Sequence, residues 1–145
     1  MVEVRNMSLE KFRKMHSEII QYFQCIEYDM RRIISLMSIE DYDKSMSELK
    51  DRNWNTVLQE LRKLDHSDND PYFSDDDYKL LDEIRTQRNF WSHQCYLEFV
   101  YIQDNGQREE RLQRLTKQLE NEHNRALKLH KKMQKHVEEI FEIYN

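Results

Sequence analysis

The near absence of helix-breaking residues constrains this chain more than any other feature. Its 145 residues include one glycine, Gly106, and one proline, Pro71, while 35% of them are charged. Both residue types weaken or end helices, so long stretches without them favour long helices. Apolar residues also recur every three or four positions, which is the period of an amphipathic helix. The sequence therefore predicts a single all-α domain spanning residues 1–145.

The apolar pattern divides the chain into four main helices. The first has Ser8 as its expected N-cap, and its seam passes through Leu9, Phe12, His16, Ile19, Phe23, Ile26, Met30, Ile33 and Met37. The second follows residues 38–45 and buries Met46, Leu49, Trp54, Val57, Leu58, Leu61 and Leu64. The third begins after a cap at Ser74 and runs to about Phe99. The fourth buries Leu112, Leu115, Leu119, Ala126, Leu129, Met133, Val137, Ile140 and Tyr144.

Short loops between these helices favour antiparallel neighbours. The expected architecture is an up-down-up-down four-helix bundle with long first and last helices. The heptad-like seams of the first and last helices also fit a coiled-coil assembly, although the short loops favour packing within one chain.

Charge is unevenly distributed along the chain, whose formal net charge is -5. Six aspartates and no Lys or Arg lie between Asp65 and Asp77, whereas nine Lys and Arg oppose four Glu between Arg108 and His136. The overall charge argues against a nonspecific nucleic-acid coat protein. The acidic loop and the basic helix indicate either docking surfaces or self-complementary packing.

The cysteines and histidines do not indicate a metal site, and no cofactor is predicted. Cys25 and Cys95 are far apart in sequence and fall on apolar stripes, so both are expected to be reduced core residues. His123 and His130 share a helix face but lie about 10 Å apart along the axis, too far to bind one ion. Without an apolar signal segment or a membrane-length apolar run, the chain is expected to be soluble and cytoplasmic.

Arg88 lies where packing alone would not place a cation. On a helical wheel it falls within an arc of about 80° that holds Leu81, Ile84, Trp91, Cys95 and Phe99. A guanidinium on an apolar arc is costly unless an anion meets it. A carboxylate from another helix would explain it structurally.

Asn89 and His93 are four residues apart and share another face of the same helix. Asn89 is therefore placed to hydrogen-bond His93 and orient its ring, or to bond a ligand beside it. Arg88 and His93 are about 140° apart on a regular helix, so they converge only through the length of the arginine or a bend. The alternative is that His93 is an ordinary surface residue.

The sequence Arg88-Asn89-Phe90-Trp91-Ser92-His93 resembles the signature of the HEPN superfamily. That family carries an Arg-x4–6-His motif, often with Asn after the Arg, near the end of the third long helix of an all-α domain. The motif covers six residues, and the resemblance in fold covers most of the chain.

The resemblance implies a metal-independent endoribonuclease in which two motifs meet at a homodimer interface. His93 would act as general base or acid, Arg88 would hold the scissile phosphate, and Asn89 would orient His93. The products would be a 2′,3′-cyclic phosphate and a 5′-hydroxyl. Such an enzyme would be a toxin or antiviral effector, silenced by an antitoxin such as a minimal nucleotidyltransferase.

Two further assignments accompany this resemblance. In toxins of this kind a tyrosine two residues after the histidine is modified by the antitoxin, whereas here Tyr96 follows one residue later. RNA binding would draw on Arg85 near the motif and on the basic face of the last helix, namely Arg125, Lys128, Lys131, Lys132 and Lys135.

Two other classes of protein fit the same sequence. One is a HEPN-like binding or scaffold module that has lost catalysis and docks through residues 65–77. The other is a helical oligomerisation unit, in which Arg88 affects only stability or assembly.

Overall fold

Regular structure in this chain is entirely helical over the part that the computed structural model describes, residues 2–67 and 69–144. Five α-helices follow one another: α1 (Val2–Met37), α2 (Tyr42–Lys50), α3 (Trp54–Asp65), α4 (Asp75–His93) and α5 (Asn105–Tyr144). A 3₁₀ helix over Cys95–Glu98 separates α4 from α5. The prediction of an all-α protein with long first and last helices is confirmed.

Three helix boundaries differ from the sequence prediction. α1 already begins at Val2, so Ser8 lies inside the helix and does not cap it. The second predicted helix is two helices, because Asn53 caps α3 by accepting a hydrogen bond from the Thr56 backbone N–H. α4 ends at His93 rather than near Phe99.

Because the predicted second helix is two helices, the chain reverses direction once more than expected. The helices that follow therefore run opposite to their predicted directions. Ser35 of α1 bonds Ser45 of α2 and Arg31 bonds the Leu49 carbonyl, so α2 runs antiparallel to α1. The chain then reverses three more times before α5. Lys11 pairs with Glu120 near one end, and further along α1 the Tyr22 ring stacks on His130. The expected four-helix alternation is wrong, because α5 runs parallel to α1.

The predicted apolar seams of α1 and α5 supply half of the buried apolar residues of the core, and the rest comes mainly from α3, α4 and the segment that follows α4. In α1 the fully buried seam residues are Phe12, Ile19, Phe23, Ile26, Met30 and Ile33. All predicted seam residues of α5 from Leu112 to Ile140 are buried, while the side chain of Tyr144 lies outside the described ones. Burying each large aliphatic or aromatic side chain contributes about 1.5–3 kcal/mol. Cys95 is a buried thiol and Cys25 a half-buried one.

Asp65 organises the connection between α3 and α4. Its buried carboxylate accepts hydrogen bonds from the backbone N–H groups of Tyr72 and Phe73, at 2.8 and 3.2 Å, and from the Tyr78 hydroxyl. Burial and the Asp65 carboxylate raise the pKa of Tyr78, so its hydroxyl remains a donor. Part of the loop that the sequence indicated as an acidic docking surface is thus internal structure. Asp68 lies outside the described residues.

His136 of α5 closes the other side of this loop. Its ring stacks on Tyr72 at 3.8 Å between centroids and meets the edge of Phe73 at 5.4 Å. Its Nδ1 atom is buried without a hydrogen-bond partner. Burial lowers the pKa of His136, opposed by the nearby Asp65 and Glu139 carboxylates and reinforced by Lys132.

Replacing Asp65 with Ala should lower the free energy of unfolding by about 2–4 kcal/mol, because three donors, two buried and one half-buried, lose their acceptor. Asp76→Ala is the control, since Asp76 is exposed and contributes only a first-turn charge to α4, about 0.3–1 kcal/mol. Urea unfolding of both variants measures the difference. Equal destabilisation by the two substitutions would contradict a structural role for Asp65.

Lowering the pH from 7.5 to 5.5 should reduce stability through His136. The unfolded histidine takes up a proton near its ordinary pKa of 6.5, whereas the folded one resists protonation because its pKa is lowered. The unfolded state therefore binds more protons in this range, and stability falls as pH falls through 6.5.

The measurement is the difference between wild type and His136→Gln in urea midpoint at each pH. The variant should lose less stability on acidification than the wild type. Other titrating groups are common to both proteins and cancel in the comparison. Parallel pH curves for the two proteins would show that His136 is not responsible.

Candidate functional site

The segment Arg88 to His93 occupies the last turns of α4. Ser74 begins the helix with a capping box, in which its side chain accepts from the Asp77 N–H and the Asp77 carboxylate accepts from the Ser74 N–H. Tyr78, Leu81, Ile84 and Trp91 then face the core. The 3₁₀ helix follows immediately, so the helical wheel does not extend to Tyr96 and Phe99. Their rings instead pack on Phe12, each at 5.6 Å between centroids.

Trp91, inside the motif, is fully buried and anchors α4 to both long helices. Its indole Nε1 donates to Glu122 of α5 at 3.1 Å, and its carbonyl accepts from His16 Nε2 of α1 at 2.6 Å. Burial raises the pKa of Glu122, whereas the hydrogen bonds from Gln118 and Trp91 lower it. Glu122 was not predicted as a site residue, although it occupies the gap between Leu119 and Ala126 in the α5 seam.

Arg88 meets an anion, as its position on the apolar arc requires. Its Nη1 donates to Glu27 Oε2 of α1 at 2.9 Å, and its guanidinium carbon lies 5.6 Å from the centre of the Trp54 ring. The Arg88 side chain is 32% exposed and Glu27 25%. Glu27 also accepts from Arg31 at 3.1 Å. Glu27 is therefore the carboxylate on another helix that the structural interpretation of Arg88 called for.

Asn89 and His93 are both exposed, and they do not hydrogen-bond one another. Neither side chain has a hydrogen bond, ion pair or ring contact with another residue in the described ranges. The expected orientation of His93 by Asn89 is therefore absent. Arg88 lies toward α1 and α3 while His93 faces solvent, because about 140° separates them on the helix.

Tyr96 is half-buried rather than displayed beside the motif. Its ring meets the ring of His16 edge-on at 5.3 Å as well as that of Phe12. Burial raises the pKa of Tyr96, and the Arg13 guanidinium, which bonds its hydroxyl, partly offsets this. The ring of Tyr96, the predicted modification site, is therefore packed against the rings of Phe12 and His16.

The predicted RNA-binding residues lie in two places. Arg85 is exposed one turn before Arg88, and Lys128, Lys131 and Lys135 are exposed on α5. Lys132 instead pairs with Asp77 and lies over the Tyr72 ring at 5.4 Å. Arg125 pairs with Glu83 at 3.3 Å. Since α4 and α5 are antiparallel, Lys132 lies beside the first turn of α4, at the opposite end from His93.

The arrangement offers hydrogen-bond donors and a histidine, and it does not offer a metal centre. No cluster of three or more His, Cys, Asp or Glu side chains suited to a metal occurs among residues 2–67 and 69–144. Within the same ranges no helix is both long and apolar enough to span a bilayer. No family model, curated protein or solved structure matches this chain, so the residues themselves carry the functional argument.

Replacing Arg88 with Ala should lower the free energy of unfolding by about 1–2 kcal/mol, through loss of the Glu27 pair and the contact with Trp54. A double-mutant cycle with Glu27→Ala should give a coupling energy of about 0.5–1 kcal/mol. Arg85→Ala, three residues away and exposed, is the control and should change stability by less than about 0.5 kcal/mol. Additive effects of Arg88→Ala and Glu27→Ala would show that the pair is energetically neutral.

Proposed function

We propose that this protein is a metal-independent endoribonuclease of HEPN type that acts as a homodimer. The corresponding fold is a HEPN-like bundle of α1, α3, α4 and α5, with α2 as an added hairpin helix. Its biological role would be that of a toxin or antiviral effector in the cytoplasm, controlled by an antitoxin such as a minimal nucleotidyltransferase.

The proposal rests above all on the unpaired polar edge at the end of α4. Asn89 and His93 are exposed without partners in the described structure, and only Nη1 of Arg88 has a hydrogen bond. A guanidinium carries five N–H donors, so Arg88 retains donors for a phosphate while bound to Glu27. A histidine can serve as general base or acid and an arginine with free donors can stabilise charge on the phosphate, so the two can together support metal-free phosphodiester cleavage.

A second copy of the chain is needed for this chemistry. Arg88 and His93 of one motif face different directions, so one protomer does not focus both on a single phosphate. An exposed apolar patch follows the motif directly: the exposed fractions are 60% for Leu97, 49% for Val100 and 77% for Tyr101. Burying such a patch against its copy would bring two motifs together at a two-fold axis.

In the resulting cleft, His93 would remove the proton from a ribose 2′-hydroxyl while Arg88 stabilises the charge on the phosphate. The 2′-oxygen attacks the adjacent phosphorus, and the bond from phosphorus to the 5′-oxygen of the next nucleotide breaks as that oxygen takes a proton from a protonated His93 imidazole of the cleft. The products are a 2′,3′-cyclic phosphate and a 5′-hydroxyl. Asn89, which has no hydrogen-bond partner among the described residues, would contact RNA or the histidine of the second motif.

One observation favours a different class. The Arg88–Glu27 pair over Trp54 explains the arginine by structure alone, as expected of a HEPN-like binding module or a helical oligomerisation unit without catalysis. In that case Arg88→Ala would affect stability or assembly and no reaction.

His93→Ala should abolish RNA cleavage while leaving the fold and the dimer intact, because His93 is exposed and makes no contact within the described chain. Purified protein is incubated with labelled RNA and a chelator, and the products are tested for a 2′,3′-cyclic end. Ser92→Ala, the exposed neighbour, is the matched control and should keep full activity. Cleavage that persists in His93→Ala would assign the chemistry elsewhere.

Growth of a bacterial host gives an independent test. Induction of the wild-type chain should arrest growth and fragment total RNA, and induction of His93→Ala should do neither. Intact RNA with both proteins, in cells and with the purified dimer, would favour the binding module.

A further inference from the structure

α5 carries a largely cationic stripe that the ribonuclease chemistry does not use. Positions spaced three or four residues apart are occupied by Arg114, Lys117, Asn121, Arg125, Lys128, Lys132 and Lys135. On a regular helix these seven positions fall within about 80° of arc and span about 32 Å. Six are cations, one is an amide and none is acidic. We call this set the α5 stripe.

The α5 stripe faces solvent. The Arg114 side chain is 68% exposed, that of Arg125 49% and that of Lys132 36%. Carboxylates pair with these three, Glu110 with Arg114, Glu83 with Arg125 and Asp77 with Lys132. The other three lysines of the stripe are exposed and have no ion-pair partner among the described residues. Three unpaired lysines, Lys117, Lys128 and Lys135, thus share one face of a helix in a protein whose net charge is -5.

The stripe leads to the motif. Phe90, within the motif, lines a cleft of about 210 Å³ together with Arg114, Gln118 and Glu98. His93 lies one turn beyond Phe90 on α4. The Arg114 end of the stripe is therefore beside the motif, and the Lys135 end is beside the start of α4.

We infer that the α5 stripe binds the phosphate backbone of a double-stranded RNA segment and delivers the adjoining nucleotides to the motif; this rests on the proposed function. Regularly spaced cations on a straight helix match a polyanion of regular charge. Single-strand binding sites combine cations with aromatic platforms for bases. No position of the stripe is aromatic, so it contacts backbone rather than bases, as in recognition of duplex RNA by shape.

The test is binding of a fluorescent RNA hairpin in chelator, measured by anisotropy at several salt concentrations. His93→Ala serves as the background, so that cleavage does not interfere. The triple variant Lys117→Gln, Lys128→Gln and Lys135→Gln should bind at least about tenfold more weakly near 0.1 M salt. The slope of log affinity against log salt should fall in magnitude by about 2–3.

The matched control is the triple variant Lys44→Gln, Lys50→Gln and Lys63→Gln. It removes the same charge from exposed positions on α2 and α3, and it should bind the hairpin nearly as well as the parent. Equal weakening by both triples would reduce the effect to net charge and overturn the inference. A single-stranded RNA that binds as tightly as the hairpin would overturn the duplex assignment.

Light scattering on the same variants tests whether the α5 stripe binds another protein chain rather than RNA. If the stripe triple changes the oligomeric state and not RNA binding, the stripe is a protein interface and the inference fails. Hairpin binding that depends on the stripe, with no cleavage by the wild type, would remove the proposed function and keep the RNA-binding surface. Cleavage by the wild type, together with unchanged RNA binding in the stripe triple, would keep the proposed function and overturn the inference about the α5 stripe.

Discussion

Parallel packing of α1 against α5 is the constraint on which the rest of the structure depends. Each helix buries one apolar seam along most of its length, and the two seams supply half of the buried apolar residues of the core. Two parallel helices in one chain need a return path of comparable length. The segment from α2 to α4 supplies it, and α4 descends antiparallel to both long helices. The position of the motif is a consequence of this return path.

Trp91 fixes the orientation of the motif relative to the two long helices. Its indole is held by Glu122 of α5 and its carbonyl by His16 of α1, so the rotation of α4 about its axis is fixed. With Trp91 inward, Arg88 must face α1 and α3, and His93 must face solvent. Packing of the core therefore keeps Arg88 and His93 apart, and a change of side-chain rotamer does not bring them together.

Sequence periodicity predicted the seams of α1 and α5 because apolar side chains recur every three or four residues, interrupted only at His16 in α1 and between Leu119 and Ala126 in α5. Periodicity did not predict the helix break at Asn53, because the apolar pattern continues on both sides of this N-cap. The wheel showed that Arg88 needs an anion, but it did not identify Glu27, 61 residues away. Spacing likewise allowed an Asn89–His93 bond, whereas tertiary packing directed both side chains to solvent.

The Arg88–Glu27 pair has a consequence for how an RNA would reach the motif. Glu27 is shared between Arg88 and Arg31, so it offsets only part of the Arg88 charge, and the remaining donors of Arg88 can bind a phosphate at contact distance. Unpaired cations elsewhere on the surface would add attraction over longer distances. The free lysines of the α5 stripe are the cations in a position to supply it, because the stripe ends beside Phe90. In the proposed ribonuclease, local recognition and electrostatic capture would thus be divided between two helices that Trp91 and Glu122 hold together.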